Sequence, residues 1–346
     1  MNSMQESIRE RYSRQIRFTP IGADGQSQLM KKRVLIVGAG ALGTGNAEIL
    51  ARAGVGRLII VDRDYVEFSN LQRQLLYTEE DAERRLPKAV ALKQRLSEIN
   101  SEVTVDAHIA DATAYELEQL AADTDLIIDA TDNFETRYII NDVSQKIGVP
   151  WIYGACAGSY GLSFMIVPGQ TPCLRCLLED IPIGGATCDT VGIIAPAVHM
   201  VVAHQTAEAL KWLTGNHDAL GNRLVSFDVW TNQFSALRVE QMKKTDCPSC
   251  GEQAVYPHLS RDRATQTAVL CGRDTVQIRP PRRQEWDLAR LAKRLYTLDG
   301  AVEINPYLIS YTTGKHRMVF FRDGRVLVHG TSDPAEAKSL YHRLMG

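Results

Sequence analysis

The sequence predicts an α/β fold: a doubly wound, Rossmann-like and mostly parallel sheet with an antiparallel extension, followed by a small C-terminal α+β unit. Three observations carry that expectation. Short apolar runs alternate with helical stretches of about a dozen residues through the first third of the chain. A glycine turn separates the first apolar run from its helix. After Gly251 the pattern changes to short strands with few helices between them.

Arg33 to Val37 (RVLIV) forms the first strand, and a helix runs from the glycine turn to about Ala53. Arg57 to Val61 (RLIIV) forms the second strand, ending at Asp62. A helix from Pro87 to Ile99 leads to a third strand near Val103 to Ala107. Another helix precedes Asp125 to Asp129 (DLIID); a helix through Gly148 then leads to Trp151–Tyr153. These runs do not alternate in polarity, which suits strands covered by helices on both faces. Tyr160–Val167 and Leu224–Val239 read as strands without crossover helices, separated by a helix from about Ile194 to Leu213. Beyond them, Ala268–Ile278 predicts a hairpin, Glu285–Leu298 a helix, and Val302–Val328 several short strands. A last helix starts near Pro334, capped by Ser332 or Asp333.

Composition limits the functions available. With 346 residues, 45% apolar and 23% charged, the chain can build one large core or two modest ones, expected here as residues 1–254 and 255–346. Its longest apolar stretch, Val191 to Ala203, contains Pro196 and His199 and is too short to span a membrane. The first residues are charged throughout, unlike a signal peptide, so a cytoplasmic protein is expected. A net charge of −2 argues against a general nucleic-acid binder. It conceals an asymmetry, because residues 256–346 hold 15 Lys and Arg against 9 Asp and Glu.

The turn Gly38-Ala39-Gly40-Ala41-Leu42-Gly43 follows a strand and opens a helix, the context of a dinucleotide fingerprint. Glycines let backbone approach a phosphate, and the helix N-terminus supplies free N–H groups. Asp62 ends the second strand, where a carboxylate can bond a ribose hydroxyl. This pattern alone does not separate NAD, FAD and ATP. Arg73, the pair Pro87-Lys88, and Asp132-Asn133 after the fourth strand add cations and carboxylates at the same sheet edge. That combination suits a triphosphate with a magnesium ion.

Cys173-Leu174-Arg175-Cys176 and Cys247-Pro248-Ser249-Cys250 are two CxxC pairs. Four thiolates match a closed, structural zinc site, with redox dithiols or coincidence as the alternatives. Cys188 lies in a glycine-rich stretch, PIGGATCDT, just before the long helix. Cys156 and Cys271 sit in apolar surroundings and are expected to be small core residues. The histidines show no metal-ligand spacing, and Cys271-Gly272-Arg273-Asp274-Thr275 lacks the active loop of a sulfurtransferase.

The runs Arg11-Tyr12-Ser13-Arg14-Gln15-Ile16, GAGALG, SNLQRQ, Pro87-Lys88 and ATDN resemble the ThiF/MoeB/HesA family, bacterial relatives of the ubiquitin-activating enzymes. The resemblance covers roughly residues 8 to 251. It implies an adenylyltransferase that uses ATP and Mg2+ to activate the C-terminal glycine of a ubiquitin-like sulfur carrier ending in Gly-Gly. It implies a nucleotide cradle of Gly38, Gly40, Ala41 and Gly43, with Asp62 on the ribose. Asp64, Ser69, Asn70, Arg73, Lys88 and Asn133 surround the nucleotide, and Asp132 holds magnesium. Arg14 is expected to reach in from the second subunit of a homodimer. Cys188 falls where relatives carry a sulfur-transfer or thioester cysteine, and Cys173, Cys176, Cys247 and Cys250 where they bind Zn2+. Ala41 departs from the pattern, because many relatives carry another glycine there.

The expected function is activation of a ThiS-like carrier for thiamine-thiazole synthesis, with a cysteine desulfurase or another sulfur donor as further partner. The alternatives are MoeB-like activation of the molybdopterin synthase small subunit, an NAD-dependent dehydrogenase with structural zinc, and a non-catalytic nucleotide fold. Adenylation needs no dedicated base, since the attacking carboxylate is ionised at neutral pH.

Overall fold

The computed structural model describes residues 10–180, 191–260, 267–269, 274–279 and 285–345. The chain forms two compact units, Met1–Ser260 and Arg261–Gly346. Residues 255–260 belong to the first: the His258 backbone N–H donates to Asp142 Oδ2 at 2.9 Å, and the His258 ring stacks on Tyr138.

The first unit opens with α1 (Ser13–Ile16) and α2 (Gly22–Leu29), then alternates β1 (Arg33–Val37), α3 (Ala41–Ala53) and β2 (Arg57–Asp62). A short helix α4 (Glu79–Glu83) precedes α5 (Lys88–Ile99), β3 (Thr104–Ile109), α6 (Ala114–Ala121) and β4 (Leu126–Asp129). Next come α7 (Phe134–Ile147), β5 (Trp151–Ala157), β6 (Tyr160–Ile166), α8 (Leu174–Asp180) and α9 (Ala195–Leu213). The hairpin β7 (Arg223–Asp228) and β8 (Gln233–Arg238) completes the sheet.

Strand order is β3-β2-β1-β4-β5-β6-β7-β8, parallel from β3 to β5 and antiparallel from β6 onward. On one face Leu35, Val37, Ile59, Val61 and Ile127 pack against Ala114, Leu117 and Ala121 of α6 and Ile139, Ile140 and Val143 of α7. The alternate residues Val34, Ile36, Leu58, Ile60, Leu126 and Ile128 are fully buried on the other face, where α3, α5 and α9 pack. Two covered faces explain the unbroken apolar runs.

From β1 the chain winds outward through β2 and β3, then returns to β4 on the other side of β1. The crevice above the strand ends opens at such a switch point. A buried polar link holds it: Gln205 of α9 donates to the carbonyls of Asp129 and Ile152, and Asn46 of α3 donates to Gln205 Oε1. Helices α3 and α9 are thereby tied to the end of β4 and the start of β5.

The second unit is a six-stranded antiparallel sheet, ordered β11-β12-β13-β14-β10-β9. Its strands are β9 (Thr267–Val269), β10 (Thr275–Ile278), β11 (Ala301–Ile304), β12 (Leu308–Thr313), β13 (His316–Phe321) and β14 (Val326–His329). Helices α10 (Leu288–Leu295) and α11 (Pro334–Met345) close one face over Ile309, Tyr311, Met318, Phe320, Val326 and Val328. Asp333 caps α11, accepting the Ala335 N–H at 2.8 Å. The helix expected over 285–298 is shorter, because Asp287 caps it by accepting the Arg290 N–H.

Candidate active site

The glycine turn is set by backbone crowding. Gly38 has φ +98°, and a Cβ there would lie 2.5 Å from the Ala130 carbonyl oxygen at the end of β4. A Cβ on Gly43 would overlap the Gly38 carbonyl oxygen. Only glycine lets β1, β4 and the start of α3 meet this closely. Gly40 is the N-cap of α3 and brings no side-chain cap; Ala41 opens the helix. The first N–H groups of α3 therefore stand at the crevice with no side-chain cap among the described residues.

Asp62, at the end of β2, accepts the Ala39 N–H on Oδ2 and the Asp64 N–H on Oδ1, both at 2.6 Å. Removal from water pushes its carboxyl above the usual range, against the pull of Lys88. Lys88, 3% exposed at the first turn of α5, puts Nζ 3.5 Å from Asp64 Oδ2, and its backbone N–H donates to the Asp64 carbonyl. A buried cation beside two carboxylates is held in place with its charge balanced locally.

The segment after β2 forms a 3-10 turn, Phe68–Asn70, closed by a reciprocal cap between Glu67 and Asn70. Asn70 is buried and Ser69 exposed. Arg73 is partly exposed and donates to the Ser69 carbonyl at 2.9 Å. Across the switch point, Asn133 caps α7 by accepting the Thr136 N–H, and its amide donates to Asp132 Oδ1. Asp132 itself is exposed. The elements carrying Gly38, Gly40, Ala41, Gly43, Asp62, Asp64, Ser69, Asn70, Arg73, Lys88, Asp132 and Asn133 thus follow the carboxyl ends of β1, β2 and β4.

Two further side chains hold this edge and carry no signal in the sequence pattern. The buried Tyr77 hydroxyl lies 2.7 Å from the Ala39 carbonyl and 3.1 Å from that of Lys88, pinning the glycine turn to α5. Arg137 of α7 donates to Asp129 Oδ2 and to the carbonyls of Thr131 and Gly154. Against the cost of burial, Asp129 raises the Arg137 guanidinium, so the loop before Asp132 is tied down by a charged pair.

Arg14 lies elsewhere in its own chain. Helix α1 is pinned to the far ends of α3 and α5: Gln15 donates to the Ala53 carbonyl, and Tyr12 accepts from Asn100. Arg14 is exposed and makes no ion pair or hydrogen bond with a described residue.

The four CxxC cysteines converge. Their Sγ atoms all lie within 4.8 Å of one another, with Cys173–Cys176 at 3.8 Å, Cys173–Cys247 at 3.7 Å and Cys176–Cys250 at 3.6 Å. Zinc–sulfur bonds of about 2.3 Å in a tetrahedron require sulfur separations near 3.8 Å, so the donor set fits zinc in number, type and spacing. Hydrogen bonding to Cys176, to which it donates, and with Cys250, together with burial, pushes the Cys173 thiol up, while Cys176, which accepts from Cys173, is held low. Cys188 and Cys271 lie outside the described residues. Cys156, expected in the core, is partly exposed, as are all of the last three residues of β5.

The sequence profile of the ThiF family matches residues 12–249. The chain belongs to the ThiF family. It is 54% identical over 336 residues to the sulfur carrier protein ThiS adenylyltransferase of Bacillus subtilis, covering 97% of this chain and 99% of that protein. It is 38% identical over 248 residues to the ThiS adenylyltransferase of Escherichia coli, covering 71% of this chain and 97% of that one. The fold matches E. coli MccB solved with MccA-N7isoASN at a TM-score of 0.61 and 23% identity, over 70% of this chain and 75% of that one. No helix among the described residues is long and apolar enough to cross a membrane.

Proposed function

We infer that this ThiF-family chain adenylylates the C-terminal glycine of a ThiS-like, ubiquitin-like sulfur carrier, preparing it for thiocarboxylate formation in thiazole synthesis. The observation that carries this is 54% identity over nearly the whole chain to a ThiS adenylyltransferase. The glycine turn, Asp62 and Lys88 at one sheet edge support it independently.

One oxygen of the carrier's terminal carboxylate attacks the α-phosphorus of ATP. The bond from that phosphorus to the bridging oxygen breaks, giving carrier acyl-adenylate and pyrophosphate. The task is alignment and stabilisation of charge on the leaving group. Asp62 accepts from the ribose, the N-terminus of α3 faces the phosphates, and Asn70, Arg73 and Lys88 surround them. Ser69, Asp64 and Asn133 complete the nucleotide's surroundings. Magnesium would be held by Asp132 and would supply further charge neutralisation on the phosphates. Zinc would be held by Cys173, Cys176, Cys247 and Cys250, and would supply folding energy rather than chemistry. Cys188 is the candidate acceptor for sulfur from a donor such as a cysteine desulfurase. A reducing cytoplasm suits these thiols.

Arg14 completes the site from a second copy of the chain. Helix α3 has 13 residues, so its ends stand about 20 Å apart, and Arg14 sits beside the end remote from Gly40. An arginine side chain does not span that distance, whereas a neighbour in a homodimer can present its own Arg14.

The test is carrier-dependent ATP–pyrophosphate exchange, run in parallel with thiamine-type and molybdopterin-type carriers. Exchange with the thiamine-type carrier is expected; exchange with only the molybdopterin-type carrier would move the chain to the other branch.

A further inference from the structure

We propose that Arg137 is a positioning residue: paired with Asp129, it fixes Thr131 and so presents the carboxylate of the next residue, Asp132, to magnesium. This rests on the adenylation reading above and on Asp132 as the magnesium ligand. Every polar group of Thr131 is taken up by the pair. Its N–H donates to Asp129 Oδ1 at 2.9 Å, and its hydroxyl donates to the same oxygen at 2.6 Å. Its carbonyl accepts from Arg137 Nη2 at 2.7 Å. On the other side of Asp132, Asn133 is fixed as the cap of α7. Asp132 is therefore an exposed carboxylate between two anchored neighbours.

The pair lies beneath the crevice surface, with Asp129 fully buried and Arg137 6% exposed. Arg137 Nε donates to Asp129 Oδ2 at 3.0 Å, and Nη2 also reaches the Gly154 carbonyl of β5 at 3.1 Å. The guanidinium stands over the rings of Phe134 and Tyr153, 5.3 Å from each centroid. A buried ion pair is a poor device for stability, because desolvation takes back much of the attraction. Here its bonds converge on the one loop that carries Asp132. A planar fork of donors lets a single side chain bond three segments at once, and its geometry fixes where each of them lies. Groups that orient a metal ligand from behind are worth about 10–100-fold in metal affinity.

The test compares ATP affinity with and without Mg2+, by calorimetry on the full chain in the absence of carrier. The readout is the gain in ATP affinity that Mg2+ brings. Arg137→Lys keeps a charge beside Asp129 but cannot bond Asp129, Thr131 and Gly154 together. It is expected to cut the gain about tenfold or more. Its ATP affinity without Mg2+ should stay within about twofold of wild type. In an Asp132→Ala background the same change should cost no further gain, because Arg137 acts through that carboxylate. A gain within about twofold of wild type in folded Arg137→Lys overturns the proposal, and so do additive losses in the double variant. Equal weakening with and without Mg2+ overturns it too, leaving only packing. Should Arg137→Lys not fold, Asp129→Asn combined with Arg137→Met leaves no buried charge unpaired and must lose the same gain. A gain that Asp132→Ala leaves unchanged would remove Asp132 as the magnesium ligand, and the proposal with it. Wild-type protein that binds no ATP would instead remove the adenylation reading itself.

Discussion

At the scale of single residues, the site depends on cations whose surroundings differ. Lys88 is buried against Asp64 and pulls the Asp62 carboxyl down, so Lys88→Ala removes the proposed phosphate ligand and leaves two carboxylates less compensated. Arg73 is partly exposed and its loss disturbs little packing. Either change should lower pyrophosphate exchange by ~10²–10³, as loss of one preorganised donor does elsewhere. Circular dichroism should show both variants folded, and near-normal exchange in both would exclude them from the chemistry. Asp132→Ala should act through magnesium, so its lost activity should recover in part as magnesium is raised. As candidates, Asp132 was legible because it follows a strand end, where a parallel sheet presents its ligands, and Arg73 and Lys88 because the motifs around them resemble a known family. Tyr77 and Arg137 were not legible. Nothing in their spacing tells that one hydroxyl lies under Ala39, or that one guanidinium joins three segments.

At the scale of elements, the strands and long helices were legible because burial on two faces writes unbroken apolar runs. Helices α1, α2, α4 and α8 were not. Residues Gly22–Leu29 carry two glycines in eight positions, and their helix rests on tertiary contacts such as the buried Gln26 bonding the Ala53 carbonyl. The CxxC pairs tie α8 to the end of the first unit. Replacing any one of the four cysteines with serine should lower zinc content and melting temperature together, because an incomplete shell gives up folding energy. Exchange by the surviving folded fraction should remain, and loss of exchange at full zinc occupancy would contradict a structural role. Helix α9 carries a pH-sensitive group. His204 stacks on Phe227 and Phe234, and burial lowers its pKa from 6.5, against Glu208, which raises it, and with Lys211, which lowers it. The unfolded chain then takes the proton first as pH falls, so stability present above 6.5 is lost below it. Wild type should lose melting temperature relative to His204→Gln between about pH 6.5 and 5, and parallel curves would show that burial of the ring carries no such cost.

At the scale of the whole molecule, two consequences extend beyond one crevice. If Arg14 serves a neighbour's site, mixing inactive Arg14→Ala and Arg73→Ala chains should restore part of the exchange. Each mixed dimer would hold one complete site, since one chain supplies Arg73 and the other Arg14. No recovery, with subunit exchange demonstrated by a tagged chain, would remove Arg14 from the reaction in trans. The second unit poses the other question. Its sheet and two helices have their own apolar core, and the Bacillus relative shares nearly the whole chain. Yet the E. coli ThiS adenylyltransferase is matched over 97% of its length by 71% of this chain, a span that the first unit alone could supply. The chemistry assigned above likewise draws on no residue beyond Cys250. A chain ended after Ser260 should therefore match the full chain in zinc content and keep its melting transition. Its carrier-dependent exchange should stay within a few-fold of the full chain at saturating carrier, a change of about 1 kcal/mol or less in the barrier. A folded, zinc-loaded truncation that lost exchange at every carrier concentration would give residues 261–346 a part in catalysis. A loss confined to low carrier concentration would make the basic second unit a contributor to carrier capture instead.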